Sequence, residues 1–172
     1  FLYKVQFLAF NINMAVHTIT QEAVSAVSAQ RLYSAMVLHR HETMVTVKPD
    51  LFKGSELLEG DGGVGTIRKI LFVEGHPVKY FVLKVDEQDP SNYYTKYTIF
   101  EGDVLKGVLE KIVYTVKYEP AGDGCKACVK VEYHAKPGCT IDEQEMKMAE
   151  SKGPELFKAV EDYLLANPNA CT

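Results

Sequence analysis

Between Lys53 and Lys136 the chain repeats one pattern: a run of β-branched and aromatic residues, then a turn of Gly, Pro, Asp or Asn, with no helical stretch between. The runs are KGSELLEGD, TIRKILFVE, VKYFVLKVDE, NYYTKYTIFEG, VLEKIVYTVKYEP and CKACVKVEYHAK, divided by turns such as EGHP, DPSN, EGD and AGDG. Such runs predict strands and such punctuation predicts tight turns. VHTITQEAV, upstream, adds a seventh strand. Parallel strands need long crossovers, and none is available here, so the expectation is an antiparallel meander of high curvature.

The period changes in two places. Ser28 precedes AQRLYSAMVL, where Leu32, Tyr33, Met36 and Val37 fall at helical spacing, which predicts a short helix with Ser28 as its N-cap. HRHETMVTVKPD has no clear period and is expected to hold a second short helix that stops before Pro49. In the last block Met146, Ala149, Gly153, Leu156, Val160 and Leu164 recur at three and four. This predicts a long C-terminal helix capped by Thr140, with Asp142, Glu143 and Glu145 at the positive end of its dipole and a bend at Gly153 and Pro154. The fold class is therefore α+β, a seven-stranded curved antiparallel sheet around one long helix. One helical stripe and two short helices are little material to cover that inner face, which points to a hollow.

A length of 172 residues fits one domain, assigned to 14–172, with the apolar residues 1–13 read as an extraneous N-terminal extension before Met14. No apolar run approaches the roughly 18–20 residues that span a bilayer, so no membrane partner is expected. The 19 Lys and Arg against 23 Asp and Glu give a net charge of −4, which opposes binding to phosphate backbones. Four cysteines, irregularly placed at 125, 128, 139 and 171, imply reduced thiols and a cytoplasmic address rather than a disulfide framework.

Gly60, Gly62 and Gly65, with Gly63 between, satisfy G-x-G-x-x-G, and Asp86 lies downstream as in a dinucleotide fingerprint. That fingerprint needs a helix after its last glycine, whereas TIRKILFVE continues as a strand, so the loop reads as a connection between two sharply turning strands. No Gly-Lys-Ser/Thr follows, which excludes a Walker loop. Cys125 and Cys128 form C-x-x-C, but positions i and i+3 of a strand face opposite ways, and His39, His41 and Glu42 lack partners of ligand spacing. No metal or cofactor is expected. In the strand from Thr66 one face carries Arg68, Ile70 and Phe72, the other Ile67, Lys69 and Leu71, so either face brings a cation inward. A cation is tolerable in a hydrated cavity where an acceptor pairs with it. Tyr80, Tyr93, Tyr94, Tyr97, Tyr114, Tyr118 and Tyr133 add amphipathic rings, suited either to aromatic ligands or to ordinary strand packing.

The order of elements, together with EGDGGVGTIRKI, the P-V-K-Y after Gly75, YTIFEGD, LEKIVY, YHAKPG and VEDYLLANP, resembles the plant pathogenesis-related class-ten family, typified by the major birch-pollen allergen. Val64 and Asp61 in the loop and KPGC before the helix are most similar to the branch with the Saint John's wort protein once proposed to couple phenolics. The resemblance covers Met14 to Pro168. It implies a helix-grip fold with a large internal cavity that binds flavonoids, cytokinins and other aromatic or hydrophobic ligands. By position it implies a cavity lined by Arg68, Ile70, Phe72, Tyr80, Val82, Thr95, Tyr97 and Ile99, with Phe157, Val160 and Tyr163 from the last helix.

Two enzyme readings accompany the resemblance. Norcoclaurine synthase, a relative sharing GDGGVGT, uses a Tyr, a Glu two residues later, a Lys on the next strand and a further acid. The corresponding residues here are Tyr80, Val82, Thr95 and Glu110, so the base and the lysine are missing and that activity is not expected. A weak ribonuclease activity attributed to the family would fall on Glu110, Glu161 and Tyr163, against the acidic charge of the chain. The expected function is a cytoplasmic, defence-linked carrier or store of small hydrophobic or aromatic ligands, monomeric or weakly dimeric and with no catalytic residues. The alternative is an enzyme of specialised metabolism, catalysing coupling, cyclisation or isomerisation in the same cavity.

Overall fold

The computed structural model describes residues 16–172, so the expectations placed on residues 1–13 and on Met14 lie outside the described residues. Strand β1 (Val16–Ser25) leads into α1 (Ala29–Tyr33), a wider π-type turn over Ser34–Leu38, and α2 (Arg40–Val47). Strands β2 (Phe52–Glu59), β3 (Ile67–Phe72), β4 (Tyr80–Asp89), β5 (Tyr94–Gly102), β6 (Leu109–Ala121) and β7 (Gly124–Ala135) follow, and α3 (Glu143–Ala166) closes the chain. The sheet runs β1-β7-β6-β5-β4-β3-β2, every neighbouring pair antiparallel. β1 pairs at one edge with the last strand, which is how a meander with one long return brings its ends together.

Register shifts between Phe52 and Gly54, Leu57 and Glu59, Val82 and Leu83, Val85 and Glu87, and Leu109 and Lys111 bend the strands. A bulge inserts a residue on one strand, increases the local twist and curls the sheet. The concave face carries Ile19, Ile70, Phe81, Leu83, Ile99, Ile112, Val116 and Val131, which meet Leu32 and Tyr33 of α1 and Phe157, Val160 and Leu164 of α3 in one core. The convex face is wet, laced by Lys96–Glu87, Lys117–Glu119 and Lys130–Glu132 pairs.

The helix ends follow from capping chemistry. Ser28 Oγ accepts from Arg31 N at 3.3 Å, as expected for the N-cap of α1. For α3 the cap is Asp142 rather than Thr140: its Oδ1 accepts from Gln144 N at 2.8 Å and Glu145 N at 3.0 Å. The last carbonyls of a helix have no internal donors. Here Arg31 serves that end, donating to the carbonyls of Leu164, Asn167 and Ala170 and tying the C-terminus back to α1. α3 runs through Pro154 without a break. Its first half stands mostly exposed apart from Met146, so Ala149 and Gly153 do not reach the core as the periodicity suggested.

Candidate functional site

Tyr114, Tyr118 and Tyr133 point inward from β6 and β7, on the concave face with Ile112 and Val116. A hollow of about 70 Å³ lies beneath the π-type turn and α2, against β3, β4 and β5. Met36, Val37, Leu38, Ile70, Leu83 and Val85 form its apolar wall. Arg40, His41, Thr66, Arg68, Gln88, Thr95 and Tyr97 bring polar groups to it, and Gly62 of the glycine loop stands at its rim.

Of the residues read from the sequence, Arg68, Ile70, Thr95 and Tyr97 meet at this hollow. Phe72 is half-buried and stacks on His76, with ring centroids 4.8 Å apart, while Ile99 is a core residue. Phe157 and Val160 are likewise core residues, with Tyr163 packed against the same cluster.

Tyr80 and Val82 do not face the cavity. On β4 the concave positions are Phe81, Leu83 and Val85, so the residues between them point outward. The Tyr80 hydroxyl donates to Glu101 Oε1 at 3.1 Å, and Lys69 Nζ sits 4.4 Å from its ring centroid. That carboxylate pushes the phenol above its usual range. Val82 is buried, but on the convex side, between strand partners Lys69 and Glu101. The sequence carried the signal: Phe81, Leu83 and Val85 are all apolar, whereas the other face of the strand includes Lys84.

The glycine loop is closed to phosphate. Gly62 N donates to Thr66 Oγ1 at 2.8 Å, Gly63 N to Asp61 Oδ1 at 3.0 Å, Gly65 N to the Val85 carbonyl at 2.8 Å and Thr66 N to the Gly63 carbonyl at 3.1 Å. Amides committed inside the molecule cannot cradle an anion, and β3, not a helix, follows. Cys125 is buried in the core and Cys128 lies on the other face near Glu22, so the C-x-x-C pair does not converge. Among the described residues, no group of three or more His, Cys, Asp or Glu side chains is placed to hold a metal.

Arg40 was not legible as a site residue. Its guanidinium reaches over the Tyr97 ring, with Cζ 4.6 Å from the centroid, and the Tyr114 and Tyr118 phenols lie in its electrostatic neighbourhood. It lies in HRHE, a stretch with no period, where side-chain direction cannot be inferred from spacing. Burial and the neighbouring Arg68 hold the His41 imidazole below its usual pKa, partly offset by Glu42, whose carboxylate stands 3.6 Å away at the surface.

The enzyme constellations are not assembled. Tyr80 faces outward, Glu110 is exposed at the start of β6, and of that set Thr95 alone borders the hollow. Glu161 is buried elsewhere, accepting from Ser25 Oγ at 2.7 Å with Lys158 Nζ 3.6 Å from its other oxygen, which makes it a tie between α3 and β1.

A curved sheet gripping a C-terminal helix, with two short helices after the first strand, defines a helix-grip protein. Residues 14–167 match the Pathogenesis-related protein Bet v 1 family, and the chain belongs to that family. It is 42% identical over 159 residues to the major allergen Pru ar 1 of Prunus armeniaca, covering 91% of this chain and 99% of that protein. The crystal structure of Ara h 8.0201 superposes with a TM-score of 0.80 at 33% identity, covering 88% of this chain and 99% of the other. Norcoclaurine synthase from Thalictrum flavum gives a TM-score of 0.68 at 26% identity, covering 87% of each chain. The fold is thus shared by allergens and by an enzyme. No helix among the described residues is long and apolar enough to cross a membrane.

Proposed function

We propose that this protein is a carrier or store of small hydrophobic and aromatic molecules, held without covalent chemistry in the hollow beneath α2. The lining carries the reading. Met36, Val37, Ile70, Leu83 and Val85 offer an apolar wall, opposite which Arg68, Gln88, Thr95 and Tyr97 offer a few convergent polar groups. A concave pocket that sets polar anchors against an apolar wall can orient and hold a small molecule. Flavonoid-like and cytokinin-like plant compounds match this chemistry, and the family's name supports a defence-linked role. The four free thiols support a cytoplasmic address.

The likeness to norcoclaurine synthase favours a second reading, an enzyme of specialised metabolism using the same hollow. Against it stand the outward Tyr80 and Val82 and the exposed Glu110. Titration with anilinonaphthalene sulfonate, followed by displacement with a flavonoid or a cytokinin and mass analysis of the displaced compound, separates the two. A carrier shows saturable binding and returns the competitor unchanged. Absence of saturable binding to folded protein overturns the carrier reading, and a changed mass moves the protein to the enzyme class.

A further inference from the structure

At about 70 Å³ the hollow is smaller than the roughly 300–1,000 Å³ of ordinary ligand sites, and a charged side chain helps to fill it. Tyr97 stacks on Tyr114 with ring centroids 4.9 Å apart and planes 6° from parallel, and the Arg40 guanidinium lies 4.6 Å from the Tyr97 centroid. Two groups that close cannot share one ring face, so Arg40 covers the face opposite Tyr114. Arg40 and Arg68 both border the hollow, whose lining includes no Asp or Glu. Arg68 Nη1 donates to Ser55 Oγ at 3.3 Å, a neutral partner. Burial pushes the neighbouring Tyr114 and Tyr118 hydroxyls up, so at neutral pH they place no counter-charge near Arg40. Glu42, which follows His41 in the chain, is exposed and turned to His39 and His41.

We propose that the hollow takes a planar aromatic anion, its carboxylate or sulfonate bound between Arg40 and Arg68, and that Arg40 leaves the Tyr97 ring to admit it. This rests on the cavity reading above. A cation drawn out of water without a counter-ion gains most from an entering anion. The guanidinium fork matches a carboxylate in bidentate geometry. Movement of Arg40 enlarges the space and bares a tyrosine face, on which the aromatic body of the ligand stacks at offset-ring distance.

The test compares 2-naphthoate with its neutral isostere 2-naphthamide by calorimetry, on the full chain and on Arg40→Gln and Arg68→Gln. The wild type is expected to bind the acid on the order of tenfold more tightly than the amide, the scale of one charge-assisted contact. Arg40→Gln is expected to abolish that preference, the acid losing about tenfold more affinity than the amide, and Arg68→Gln to reduce it. Equal affinity of the wild type for acid and amide overturns the proposal, and this comparison depends on no variant folding. Equal weakening of both probes by Arg40→Gln also overturns it, because Arg40 would then shape the wall rather than read charge. Binding of the amide without the acid overturns the anion inference and leaves the carrier reading standing. Binding of neither probe, nor of a neutral flavonoid, overturns both.

Discussion

The side-chain amide of Gln21, on β1, donates to the backbone carbonyl of Glu150, on α3, at 3.0 Å. Pro154 has no N–H, so the carbonyl four residues before it loses its helical donor. β1 supplies a donor to that carbonyl at the point where α3 passes through Pro154. Gln21→Ala is expected to lower stability by about 1 kcal/mol, the net worth of one such bond. In a Pro154→Ala background, where the backbone donor is restored, the same substitution should cost much less. Denaturant unfolding of the two single variants and the double variant checks this, and additive effects would contradict it.

The architecture was legible because its causes are local. Alternation such as Thr95, Tyr97 and Ile99 against Lys96 and Thr98 marks a strand and its faces, and Ser28 before AQRLY marks a helix start. Asp142 followed by Glu145 has capping-box spacing and could have displaced Thr140 as the cap of α3. The site was less legible because it depends on which strand face turns inward and on what fills the interior. Residue-by-residue transfer put Tyr80 and Val82 inside against the pattern of their own strand, and nothing in HRHE indicates that Arg40 points under α2. The size of the void depends on how Tyr97, Tyr114, Tyr118 and Tyr133 pack together, which no linear pattern encodes.

The buried thiol and phenols make the fold sensitive to alkali. Burial pushes Cys125 from 9.0 to about 11 and Tyr133 from 10.0 to about 12, and raises Tyr118 further. The unfolded chain therefore loses these protons first, so it binds fewer than the native state and stability falls as pH rises. The loss should begin near pH 9, deepen through pH 12, and be absent between pH 7 and 8. Urea midpoints measured across this range check it. A midpoint unchanged from pH 8 to pH 11 would contradict it.

Gly60 is fixed by two independent constraints. Its φ is +89°, and an added Cβ would lie 2.6 Å from Thr66 Oγ1 and 2.7 Å from Thr66 Cα. Thr66 is itself buried, with its hydroxyl holding Gly62 N. Gly60→Ala is expected to cost about 2–4 kcal/mol, backbone strain plus overpacking. Gly62→Ala, where the added carbon meets open space at φ +108°, should cost about 1–2 kcal/mol from strain alone. Thermal melts of the pair check the order, and an equal loss would contradict it.

The most direct measurement is a ¹⁵N–¹H shift map of the full chain titrated with 2-naphthoate. A ligand beneath α2 should move the backbone signals of Arg40, His41, Thr66, Arg68, Thr95 and Tyr97, which border the hollow. The signals of Tyr80 and Val82 on the convex face, and of Phe157 and Val160 on α3 away from the hollow's lining, should move little. Saturable shifts at Phe157, Val160 and Tyr163 with Arg68 and Tyr97 silent would contradict a binding site in the hollow beneath α2.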